Sequence, residues 1–75
     1  MLKFFRPINP KAIFPNEEYY VVNMLTLRVV QSEATEKRAV ASCKILQDHE
    51  EKNGRKADYK HFRKDAVTII NNWEE

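Results

Sequence analysis

Seventy-five residues allow one domain and one small core, burying about 60% of the surface the unfolded chain exposes. A single cysteine, Cys43, excludes an internal disulfide, and a single glycine excludes a phosphate-cradling loop. Thirteen basic and 11 acidic side chains leave a net charge of +2, far below the excess of most nucleic-acid binders.

Residues 1–15 read as an irregular arm. Its prolines, Pro7, Pro10 and Pro15, argue against a helix or a central strand. Leu2, Phe4, Phe5, Ile8, Ile13 and Phe14 argue against disorder, so the arm is expected to lie across the rest of the chain. Arg6, Pro7 and Pro10 form a PxxP spacing, a weak docking signal set below packing of the arm on its own domain.

Residues 16–31 read as a helix or a strand. Asn16, Glu17 and Glu18 suit a helix start. Tyr19, Tyr20, Val21, Val22, Thr26, Val29 and Val30 favour a strand. The apolar residues go all round a helical wheel, and periodicity does not separate a buried helix from a strand. The helix is preferred here. The alternative is an α+β domain with residues 19–30 a strand, paired to the arm or to a second protomer.

Residues 32–53 read as a helix capped by Ser32 and stopped at Asn53-Gly54. It carries two apolar stripes, Ala39, Val40, Cys43 and Leu46 on one side and Ala34, Ala41 and Ile45 on nearly the other. A rim helix normally shows one stripe. The second, Ala34, Ala41 and Ile45, is therefore a candidate self-association face.

Residues 58–74 read as a third helix capped by Asp58, with Tyr59, Phe62, Ala66, Ile69, Ile70 and Trp73 at helical spacing. Its basic start and its acidic end at Glu74 and Glu75 oppose the helix dipole, which points to an anionic partner. Arg55, Lys56, Lys60 and Lys64 form the candidate binding patch, with Tyr19 or Tyr20 as a contact. A solvated polar face is the plainer reading of such a charge run. The fold class expected is thus mostly α: three helices wrapped by an extended arm.

No catalytic, cofactor or metal motif stands out. His49 and His61 belong to no ligand spacing, and Ser32, Ser42 and Cys43 lack a partner at a telling spacing. No export signal is read, and the run 19–30, broken by Asn23 and Arg28, is too short to span a bilayer. A cytoplasmic protein is expected. The residues do not specify a function. The expectation is a small non-catalytic regulatory, accessory or inhibitor protein, of the kind bacteria and phages carry, that docks on a protein and self-associates as a homodimer. The alternative is a nucleic-acid-binding regulator using the same patch.

Overall fold

The computed structural model describes residues 2–70 and corrects the fold class. The chain is an α+β domain with one α-helix and five strands among the described residues, not a small helical domain of three helices. In chain order the elements are β1 (Leu2–Phe5), a 3-10 turn (Pro10–Ala12), β2 (Tyr19–Asn23), β3 (Arg28–Glu33), α1 (Glu36–Lys52), β4 (Tyr59–Arg63), a second 3-10 turn (Lys64–Ala66) and β5 (Val67–Ile70). The strand order is β4-β2-β3-β1-β5. Among the described residues no helix is long and apolar enough to cross a membrane.

Residues 16–31 are not a helix. The signals at Asn16 and Glu17 serve a turn, in which the Glu17 N–H donates to the Phe14 carbonyl. The strand propensity that follows then wins. Val21 and Val22 are both fully buried because both faces of β2 are covered, which is why the apolar residues showed no alternation. The alternative has the right class, α+β, and its pairing with the arm is present at Phe5↔Arg28, but residues 19–30 are not one strand. β2 and the start of β3 form a hairpin, with a bulge where the register shifts between Val21 and Val22. Its turn has no glycine. The Asn23 side chain accepts from the Leu25 N–H, and Leu27 takes a positive φ of 58°.

The expected arm is also corrected at its start. The prolines begin only at residue 7, so Leu2–Phe5 are free to pair, and β1 lies between β3 and β5. It runs parallel to β5 over four residue pairs, Leu2↔Val67 to Phe5↔Ile70. It meets β3 at the single pair Phe5↔Arg28.

That thin junction explains the layering. In a flat sheet β4 and β5 would lie about 19 Å apart. The link from Arg63 to Val67 spans at most about 14 Å. The β1–β5 ribbon therefore folds across one face of the β3-β2-β4 sheet. Phe4 on the ribbon then meets Phe62 on β4, their ring centroids 5.2 Å apart. Phe4, Val22, Val29 and Val67 form the buried core between ribbon and sheet, flanked by Ile13, Tyr20, Met24, Leu27, Phe62 and Ile69.

The opposite face carries α1. Its side chains reach the residues that alternate with the core set: Ser42 donates to Glu33 at 2.6 Å, and Glu36 lies 3.3 Å from His61. Ala39 is fully buried here. Thr35, not Ser32, caps the helix, accepting from the Arg38 N–H at 3.2 Å. Ser32 belongs to β3, where its buried hydroxyl accepts from the Phe14 N–H and donates to Glu17.

Residues 58–70 hold no α-helix. Tyr59, Phe62, Ile69 and Ile70 are strand residues, so their helical spacing is coincidental, and Asp58 caps nothing. The argument from a reversed helix dipole falls with that helix. Trp73, read as part of that helix's apolar spacing, and the acidic end at Glu74 and Glu75 lie outside the described residues.

Candidate functional site

The strands separate the residues that the helical reading had gathered. Tyr19 and Tyr20 are neighbours on β2 and so face opposite sides of the sheet. Tyr19 lies on the α1 side, its ring centroid 6.4 Å from that of His61 and 5.8 Å from the Arg63 guanidinium. Tyr20 lies against the core and lines a cleft of about 130 Å³ with Ile13, Phe14, Pro15 and Lys64. Lys60 and Lys64 are not one helical turn apart: Lys60 lies near the start of β4 and Lys64 just past its end, roughly 13 Å along extended chain. Lys64 Nζ donates to the Pro15 carbonyl at 2.8 Å. Arg55 pairs with Glu50, which holds that carboxyl below its ordinary value and raises the guanidinium. Lys56 and Lys60 are exposed and have no ion-pair partner among the described residues.

What the strands create instead is an edge. Among the described residues β4 pairs only with β2. Two bonds set its phase: Met24 N–H to the Asp58 carbonyl at 2.7 Å, and Lys64 N–H to the Glu18 carbonyl at 2.8 Å. Antiparallel bonding alternates. Lys60 and Phe62 therefore point their backbone groups at β2, and Tyr59, His61 and Arg63 point theirs outward. Gln47 on α1 closes the start of this edge, accepting from the Tyr59 N–H at 3.1 Å and donating to the Ala57 carbonyl at 2.7 Å. The open stretch is therefore at His61 and Arg63, with Lys60 immediately before it in sequence. Both His61 and Arg63 fall inside the helix expected over residues 58–74, so no edge could be seen.

The candidate self-association residues all lie on the surface. Ala34 precedes α1, and Ala41 and Ile45 are on its outer side, with Ile45 67% exposed. Of the other stripe, Ala39 is buried and Cys43 and Leu46 are half-buried, but Val40 is 50% exposed and does not share their contact with the sheet.

Other chemistry is thin. Among the described residues no three His, Cys, Asp or Glu side chains are placed to hold a metal ion. Burial raises the Cys43 thiol above its ordinary value. The thiolate is the reactive form, so iodoacetamide at neutral pH should modify Cys43 markedly more slowly in the folded protein than after denaturation. Equal rates by mass spectrometry would contradict the partial burial of Cys43 on α1.

Comparison with protein-family models, with curated proteins and with solved structures found no match to this chain.

Proposed function

We propose that the protein is a non-catalytic docking module that binds an extended acidic segment of a protein partner along β4. One observation carries this reading: β4 presents outward backbone groups at His61 and Arg63 on an edge bearing Lys60 and Arg63. An added strand gains main-chain hydrogen bonds, and cations beside it select an acidic sequence and speed its arrival. Lys56, just before the strand, and Lys64, just after it, extend the positive charge at either end. The setting we assign is cytoplasmic, on the sequence grounds given above.

The nucleic-acid alternative rested on a basic patch at the start of a third helix, and residues 58–70 hold no α-helix. It enters here as an outcome of the test. A synthetic peptide of alternating Glu and Val is titrated into the labelled protein, with a single-stranded oligonucleotide as comparator. The amide signals of His61 and Arg63 should move most. Replacing Lys56 and Lys60 by Glu should weaken peptide binding roughly tenfold or more. His61→Pro should also weaken it without unfolding the domain, because proline is tolerated where the lost N–H faces outward. Peptide binding elsewhere on the surface would sink the proposal. So would tight oligonucleotide binding that collapses with added salt, the mark of phosphate contacts.

A further inference from the structure

We infer that the outer face of α1 is the interface of a two-fold homodimer, with the helix packed antiparallel on its own copy. This inference is independent of the β4 reading. α1 has a covered side and an exposed side, and the exposed side still carries Ile45, 67% open to solvent. The residues around it fall into one seam. Arg38, Ala41, Ile45, Asp48 and Lys52 follow one another along α1 at spacings of three and four, and all five are exposed. That repeat is the seam pattern of paired helices.

The order of side chains along the seam fixes the partner and its direction. From its N-terminal end the centre of the seam reads basic, small, large, acidic: Arg38, Ala41, Ile45, Asp48. Placed against itself in antiparallel sense, the pattern is its own complement. Ile45 of one copy meets Ala41 of the other, a large side chain over a small one. Arg38 meets Asp48, and the two-fold axis makes both contacts twice. In a parallel pair Arg38 would face Arg38 and Asp48 would face Asp48, which repels at both ends. Neither the Arg38 nor the Asp48 side chain has a charged partner within the chain among the described residues, so both are available.

A pair of 17-residue helices buries less than a standard protein interface. The dimer should therefore be concentration-dependent. Lys44 flanks the seam near the axis and approaches its own copy, the one repulsive contact of the arrangement. Lys44→Gln should tighten the dimer.

The decisive measurement is sedimentation equilibrium over a micromolar-to-millimolar series. The wild-type mass should rise from 8.9 kDa toward twice that value. Arg38→Glu alone and Asp48→Arg alone should each weaken association roughly tenfold or more, with helix content by circular dichroism unchanged. The double variant R38E/D48R should recover the dimer, because the antiparallel contact is restored with its charges exchanged. Ile45→Ser should abolish association. A wild-type chain that stays monomeric throughout would overturn the inference. So would single variants that associate like the wild type, or a double variant no better than the singles. Lys60→Glu should leave the mass series unchanged, which separates this face from the β4 edge.

Discussion

Phe4→Ala should leave the domain largely unfolded at room temperature. Phe4 is 2% exposed, and it sits where the β1–β5 ribbon crosses the sheet and touches Phe62. Removing a buried phenylalanine costs about 3–5 kcal/mol, because transfer energy and the cavity left behind add. A domain this small rarely holds more than about 3–5 kcal/mol in total. The loss is also poorly repaired. β1 meets β3 at one residue pair, so little but side-chain packing keeps the ribbon on the face. Urea unfolding followed by circular dichroism would measure the effect. A loss below about 1 kcal/mol would mean that the ribbon is an appendage and not half of the core.

The second large effect is expected at Ala39, fully buried between α1 and the sheet. Ala39→Asp would place a carboxylate where water does not reach. An unpaired buried charge costs several kcal/mol, or it escapes the cost by taking a proton. The loss should then depend on pH with a definite sign. Burial raises the carboxyl's pKa in the folded state, so over a range of pH the folded chain holds a proton that the unfolded chain has lost. Stability of the variant therefore falls as pH rises from the ordinary carboxyl value toward the raised one. The variant should be measurably more stable at about pH 5 than at about pH 8, after subtraction of the wild-type difference. A loss independent of pH would show that the side chain reaches solvent at the helix margin.

The two sites show why the sequence was easier to read in one part than in another. α1 is legible because its signals are local: the favourable Asp48–Lys52 pair and the stop at Asn53-Gly54, where Gly54 takes a φ of 70°. Its start is displaced because Ser32 and Thr35 both look like caps, and only the long-range contact of Ser32 with Phe14 and Glu17 assigns it elsewhere. The strands are hidden by the opposite circumstance. β2 is covered on both faces, so Val21 and Val22 erase the alternation that reveals a half-buried strand. The hairpin turn at residues 24–27 uses asparagine capping and a left-handed leucine in place of the usual glycine. β4 and β5 are short and separated by a 3-10 turn, and their apolar positions mimic a helical repeat.

The candidate site follows the same division. Lys60, His61 and Arg63 are visible as a basic run, but an edge exists only once β2 has paired on one side of β4 and nothing described has paired on the other. No single-sequence signal carries that. The outer face of α1 is the reverse case, since its repeat lies within one helix and can be read without the fold.

The parallel pairing of β1 with β5 has a consequence for how the protein is made. Leu2 pairs with Val67, so β1 waits for a strand that is made much later in the chain. Until β5 leaves the ribosome, Phe4 has only part of its cover, and the apolar face of the β2–β3 hairpin stays open. Such long-range closure slows folding, because loop entropy is lost before the contacts repay it. The emerging chain is thus a client for any factor that shields apolar surface during translation, and this domain closes only once β5 has been made.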